Sequence, residues 1–364
     1  MSRKINFGAG PAKVPEEVLQ KAQAELLDYN GLGISVLAIG VGTFAKIIQD
    51  AERLLRELMG IPDDYEVLFM HGGGTGQFAA IPLNISFLAA NPEQPTADYL
   101  ITGTWSQKAA KEAEKFIKVH KVLDHDHFVS IPPQKEWKVN EGAAYLYYCA
   151  NETIHGVEFQ ETPQLPEGVH LVADISSNIL SRPIDVRKHS IIVAGTQKNL
   201  GIGGLTIVIV RKDLIGHERK HTPGILSYAD TAKNKSLYNT PCVFAVYITK
   251  LVLEWIKKQG GVEAMEKLAK EKSQLLYETI DGSDGFYAAE VQREVRSRMN
   301  VPFRVRSDPE LEAKFLAEAA AQGMISLKGH RSVGGIRASL YNAVSLEETR
   351  KLVDFMKKFQ QNNS

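Results

Sequence analysis

A lysine and an aspartate placed at the ends of two short apolar runs are the residues best suited to chemistry in this sequence. Lys198 lies in Val193-Ala-Gly-Thr-Gln-Lys198-Asn-Leu-Gly-Ile-Gly-Gly204, a Gly- and amide-rich turn between the runs Ser190 to Ala194 and Leu205 to Val210. Asp174, 24 residues upstream, ends a third run, Val169-His-Leu-Val-Ala-Asp174. Runs this short and β-branched read as buried strands. A strand-end amine and a strand-end carboxylate suit pyridoxal phosphate, whose aldehyde takes an amine and whose pyridine nitrogen needs a carboxylate to stay protonated as an electron sink. The plainer alternative is that each is a solvated loop residue. A dinucleotide loop at Gly201-Ile-Gly203-Gly204 is excluded, because those glycines lead into a strand and the dinucleotide fingerprint must open a helix.

Further groups could gather round such a cofactor. Gly72-Gly-Gly-Thr75-Gly follows a strand and opens a helix, where amide N–H groups and the helix dipole favour a phosphate, although a tight turn would look the same. Trp105, in Gly103-Thr-Trp, could stack on the pyridine ring or sit in the core. Asn151-Glu-Thr153 offers a hydroxyl for the ring's phenolic oxygen. Asn239-Thr240-Pro241 could cap a helix or serve a phosphate.

The elements needed to position these groups follow in alternation. Helices are expected near Pro15–Tyr29, Thr43–Met59, Gln77–Leu88 and Ser106–Phe116, interleaved with strands near Glu66–Met70, Tyr99–Thr102, Val119–Leu123 and Ala144–Cys149. Strands separated by helices predict an α/β layer with a mostly parallel sheet. Arg211–Thr240 is polar and without clear period, and Pro241–Lys258 reads as a long apolar helix. Beyond Gly260-Gly261 the pattern predicts a helix over 262–280, a strand at 299–305, a helix at 309–322, strands at 325–328 and 335–340, and a helix at 346–361. The expected division is a large domain over 15–258 and a smaller α+β domain from 1–14 plus 259–364.

Composition bounds the rest. The 364 residues carry 43 basic and 43 acidic side chains, so no global field draws the chain to nucleic acid or a membrane surface. Two cysteines exclude a disulfide framework, and no metal site is expected. The first residues lack an apolar signal core and no apolar run approaches 18 residues, which predicts a cytoplasmic protein.

Taken together, Phe7-Gly-Ala-Gly-Pro, His71-Gly-Gly-Gly-Thr-Gly-Gln-Phe, Cys149-Ala-Asn-Glu-Thr153, Asp174-Ile-Ser-Ser, Ala194-Gly-Thr-Gln-Lys-Asn199, Tyr238-Asn-Thr-Pro241 and Lys328-Gly-His-Arg-Ser-Val-Gly-Gly-Ile-Arg337 resemble the phosphoserine aminotransferase family, in family order over nearly the whole chain. The resemblance implies a fold-type I, pyridoxal-phosphate-dependent homodimer that interconverts 3-phosphohydroxypyruvate and glutamate with phosphoserine and 2-oxoglutarate. It implies that Lys198 is the Schiff-base lysine and Asp174 the pyridinium partner. Trp105 would stack on the ring, Thr153 would bond its phenolic oxygen, and Gly74, Thr75 and Gln197 would hold the cofactor phosphate. Asn239 and Thr240 would join that phosphate from the other subunit. Arg337 would clamp the α-carboxylate, with His330 and Arg331 facing the substrate phosphate.

One segment departs from the family pattern. Family members usually carry Glu-Met-Ser-His-Arg-Ser after Ser-Val-Leu, and some carry Arg at the position of Thr75. Here the segment reads Ser35-Val-Leu-Ala38-Ile-Gly-Val-Gly-Thr43-Phe44, two residues shorter and with neither His nor Arg. Two alternatives therefore stand beside the leading reading: an aminotransferase for another small acidic substrate, and a catalytically idle pyridoxal-phosphate-binding protein.

Overall fold

The computed structural model describes residues 3–123, 127–166 and 168–364, so Met1 and Ser2 of the expected small domain lie outside the described residues. In chain order the first elements are β1 (Ile5–Asn6), α1 (Glu16–Glu25), α2 (Val41–Met59), β2 (Tyr65–Met70), α3 (Gly73–Ile85), β3 (Thr96–Leu100), α4 (Thr104–Ala113) and β4 (Lys118–Lys121). They are followed by β5 (Leu146–Cys149), β6 (Asn151–Glu152), β7 (Val157–Glu158), β8 (Leu171–Asp174), β9 (Ile191–Gly195), β10 (Thr206–Arg211), α5 (Tyr228–Lys233) and α6 (Val243–Lys258). The C-terminal part runs α7 (Gly261–Asp281), β11 (Tyr287–Ala288), β12 (Asn300–Val305), α8 (Pro309–Ala321), β13 (Met324–Ile325), β14 (Ile336–Ser339) and α9 (Leu346–Asn363).

Among the described residues the main sheet has seven strands in the order β2-β10-β9-β8-β5-β3-β4. All neighbours are parallel except β10, which runs antiparallel to both β2 and β9. The mostly parallel sheet read from the alternation is what forms. Each central strand is buried on both faces, which is why its sequence is continuously apolar. Leu171, Ala173, Ile192, Ala194, Ile207 and Ile209 point into a core with α2 and α6. Val172, Ile191, Val193, Val208 and Val210 point into the opposite core with α3 and α4. Period-2 geometry therefore delivers Asp174 and Lys198 at the same edge: β8 ends at Asp174, and Lys198 follows three residues after β9 ends.

A separate three-stranded antiparallel sheet, β11-β12-β14, shares a core with α7, α8 and α9 that includes Phe303, Phe315, Phe355 and Phe359. The N-terminal strand β1 pairs in parallel with β13, and Lys13 reaches the Glu348 carboxylate on α9 at 2.6 Å. That carboxylate also completes the capping box with Ser345 at the start of α9. No helix of the described residues is long and apolar enough to cross a membrane.

Several boundaries differ from those expected. α1 stops at Glu25 rather than Tyr29, and Pro15 precedes it as the cap instead of opening it. Asn30, Gly31 and Gly33 then turn the chain with positive φ. α2 begins at Val41 rather than Thr43, so Val41 and Gly42 are helical and not part of the preceding loop. α3 begins at Gly73 rather than Gln77, so the glycines themselves form its first turn. The polar stretch 211–240 contains the short helix α5, capped by the Ser227 hydroxyl.

Candidate functional site

A cavity of about 520 Å³ opens at the carboxyl ends of β5, β8 and β9, lined among others by Gly74, Thr75, Trp105, Thr153, Asp174, Gln197 and Lys198. Ligands of open α/β sheets bind at that edge, where loops leave the strands. Lys198 is buried, and its Nζ donates to Thr153 Oγ1 at 2.6 Å. Burial pushes the lysine below its ordinary pKa, against the opposing pull of the Asp174 carboxylate. A depressed amine is easier to present unprotonated, the form in which lysine is a nucleophile. Asp174 is held by the Ser176 amide, which donates to Oδ1 at 2.8 Å, with the Tyr147 hydroxyl 3.4 Å from Oδ2.

The first turn of α3 faces the same cavity. Gly72 caps the helix at φ 90° with no side chain bonded to the free amides, and the first turn holds no acid. Three consecutive positions, Gly73, Gly74 and Thr75, thus present backbone N–H groups and the positive end of a 13-residue helix to the cavity.

Glu152, which sequence reasoning passed over, sets the position of Trp105. Its buried carboxylate accepts from Trp105 N at 2.9 Å and from Ser106 N and Oγ at 2.8 and 2.6 Å, capping α4 from another element. Gly103 is required beside it, because a Cβ there would come within 2.4 Å of the Glu152 side chain. The only hint was a carboxylate two residues beyond the apolar run that ends at Ala150, where a buried charge needs partners. Trp105 Nε1 is buried without a hydrogen-bond partner.

Arg337 arrives from β14, its Nη1 donating to the Thr153 carbonyl at 3.2 Å. Burial lowers its pKa from the ordinary guanidinium value. A second missed group links β6 to the three-stranded sheet: Asn300 Oδ1 accepts from Asn151 Nδ2 at 2.9 Å, and its side-chain amide donates to Ser339 Oγ and Tyr341 OH. Tyr341 OH in turn donates to the Ala9 carbonyl at 2.8 Å. His330 is half-buried beside the same arginine, and Arg331 is exposed. Burial and the cations of Arg337, Arg331 and Lys108 hold His330 below its usual pKa.

The structure therefore brings Gly74, Thr75, Trp105, Thr153, Asp174, Gln197 and Lys198 to one cavity, with Arg337 against Thr153. It does not bring Asn239 and Thr240 there. Both are exposed, and Asn239 Nδ2 donates only to the adjacent Thr240 carbonyl. The segment 38–43 likewise contributes nothing to the lining of this cavity in the single chain.

The donor set fits pyridoxal phosphate: a helix N-terminus for a dianion, an indole for a ring, a hydroxyl, a carboxylate and a buried amine. The unpartnered Trp105 Nε1 and the bare Gly72–Thr75 turn are the features that a bound anionic aromatic group would complete.

The fold and the site define a fold-type I aminotransferase. The class-V aminotransferase family model matches residues 5–352. The chain is 53% identical to the probable phosphoserine aminotransferase of Caenorhabditis elegans over 98% of this chain and 97% of that protein. It is 53% identical to the phosphoserine aminotransferase of Drosophila melanogaster over 99% of each. It superposes on the phosphoserine aminotransferase of Bacillus circulans subsp. alkalophilus with a TM-score of 0.95 at 42% identity, covering 100% of this chain and 99% of that one. The PLP-bound phosphoserine aminotransferase of Trichomonas vaginalis gives 0.92 at 40% identity, covering 98% and 100%. The chain belongs to the class-V aminotransferase family.

Proposed function

We propose that this chain is an enzyme that moves an amino group between glutamate and 3-phosphohydroxypyruvate, giving phosphoserine and 2-oxoglutarate, with pyridoxal phosphate as cofactor. The observation that carries the proposal is the buried Lys198 amine, 2.6 Å from Thr153 Oγ1 in a cavity that also holds Asp174 and the N-terminus of α3. Full-length identity of 53% to two proteins of that name supports the substrate.

When bound, the cofactor supplies an electron sink for the pair left behind when a substrate loses its α-proton. The Lys198 amine would attach the cofactor covalently and would be the base that takes the substrate's α-proton and returns it. Thr153 Oγ1 orients that amine and the ring's phenolic oxygen. Asp174, its orientation fixed by the Ser176 amide, would keep the pyridine nitrogen protonated. Gly74, Thr75 and Gln197 would hold the phosphate, and Trp105, set by Glu152, would cover the ring. Arg337 grips the α-carboxylate through its planar fork. His330 and Arg331 face the distal anion, phosphate in one half-reaction and the glutamate side-chain carboxylate in the other.

The same reading divides the chain into a cofactor-binding domain over 15–258 and a small domain from 1–14 plus 259–364. Separate cores on the two sheets and the β1–β13 pairing support that division. It also makes the protein a cytoplasmic homodimer in which Asn239 and Thr240 complete the neighbouring cofactor site. The exposed apolar side chains Leu27, Leu32, Leu37 and Val41, 54–82% accessible, support an association surface. Purified protein supplied with 3-phosphohydroxypyruvate and glutamate should form phosphoserine and 2-oxoglutarate in equal amounts. Turnover of other acidic oxo acids without the phosphorylated one would overturn this reading.

A further inference from the structure

Lys108 lies on α4 one turn beyond Trp105, with its Nζ 4.7 Å from the centroid of the Trp105 ring. The Lys198 Nζ stands 5.7 Å from the same centroid. The two ammonium groups are thus at most about 10 Å apart, the sum of those distances. Lys108 is exposed and makes no ion pair among the described residues. Glu112, the acid one turn further along α4, is already held by Lys115 at 2.6 Å. Among the described residues, the charges acting on His330 come from Arg337, Arg331 and Lys108, with no carboxylate among them. An uncompensated cluster of cations at a cavity mouth is costly without an anion to share it.

We propose that Lys108 binds the phosphate of the phosphorylated substrate, closing the cavity mouth together with His330 and Arg331. The proposal rests on the function inferred above and names a residue for its specificity. The reach is right. The substrate's amino nitrogen must come to the Lys198 Nζ position, and in extended phosphoserine the outer phosphate oxygens lie about 6 Å from that nitrogen by ordinary bond lengths. A charge-assisted hydrogen bond adds about 2.8 Å, so a donor roughly 9 Å from the Lys198 Nζ position would meet the phosphate, a distance below the upper limit on the separation of the two lysines. The Trp105 face holds the ammonium by cation–π attraction while its own solvation remains, so it can turn to an arriving dianion at small cost. Lys108 also adds a cation to a chain whose 38–43 segment offers neither His nor Arg.

The test compares wild-type holoenzyme with K108M and K108R, reading kcat and KM for phosphoserine and, separately, the affinity for inorganic phosphate by calorimetry. For K108M, KM for phosphoserine and Kd for phosphate should rise about ten- to a hundredfold, the loss expected of one charged hydrogen bond. The value of kcat should change by less than about twofold, and K108R should recover most of the loss. Unchanged KM and phosphate affinity in K108M would overturn the assignment, as would a fall confined to kcat, which would mean that Lys108 merely supports Trp105. Wild-type enzyme that does not consume phosphoserine would instead overturn the parent function, and this inference with it.

Discussion

Thr153 serves two cations at once: its Oγ1 accepts from Lys198 Nζ at 2.6 Å, and its backbone carbonyl accepts from Arg337 Nη1 at 3.2 Å. One residue thereby fixes the distance between the amine that handles the α-proton and the guanidinium proposed to hold the α-carboxylate. Thr153→Val keeps the shape and the carbonyl but removes the hydroxyl. Leaving a buried amine unpartnered should cost about 1–3 kcal/mol, a roughly 5- to 150-fold loss in kcat/KM. Thr153→Ser should recover most of it, and equal rates for the Val variant and wild type would contradict the role.

Glu152 is expected to act on structure as much as on rate. Glu152→Ala strips three donors of their acceptor at the start of α4, so unfolding in urea should show a loss of about 2–4 kcal/mol. Trp105 loses its anchor in the same variant, so the cofactor's visible absorbance should shift. A stability within experimental error of wild type would mean that α4 is capped by water instead.

Acid should destabilise the fold through His189. Its Nδ1–H donates to the Asp185 carbonyl at 2.9 Å and Nε2 accepts from the Tyr148 hydroxyl at 2.8 Å, an arrangement that requires the neutral ring. Burial pushes this histidine down to about 4. Between pH 6.5 and 4 the unfolded chain binds the proton and the native one does not, so stability is full above pH 6.5 and falls as pH drops towards 4. The loss should approach about 3 kcal/mol at pH 4. Urea midpoints across this range, with cofactor saturating, should show a shallower slope for His189→Gln than for wild type.

The segment after Leu37 is expected to limit affinity for the phosphorylated substrate. Replacing Ala38–Thr43 by Glu-Met-Ser-His-Arg-Ser with two further residues adds two cations, each worth about 1.5–3 kcal/mol to a charged partner. Water and the remaining cations already recover part of that, so a net gain of about 2–4 kcal/mol, or 30- to 1000-fold in kcat/KM, is expected. An unchanged value would show that the segment forms no part of a phosphate pocket.

The residues of the cavity were more legible in the sequence than the elements that carry them. Lys198, Asp174 and Thr153 are legible through the motifs around them, because a polar residue at the end of an apolar strand is by itself ordinarily a solvated loop residue. The start of α3 was misplaced because glycines have poor helix propensity, and only tertiary context settles Gly73 and Gly74 in a helix. Gly42 was misread for the same reason. Glu152 and Asn300 escaped notice because their partners, Ser106 and Asn151, lie 46 and 149 residues away. No local pattern encodes such pairs. Asn239 and Thr240 stand on the surface, so the part proposed for them in the site would need a second subunit.

The most direct test follows the cofactor's visible absorbance in the purified holoenzyme after addition of phosphoserine alone and, separately, glutamate alone. Each amino acid should discharge the absorbance of the lysine-bound form in a single turnover, leaving the amine form of the cofactor and one equivalent of the matching oxo acid. Lys198→Ala should bind the cofactor without covalent attachment and make neither oxo acid, having lost both the attachment amine and the base. Discharge by glutamate but not by phosphoserine, or turnover by Lys198→Ala at the wild-type rate, would contradict the account.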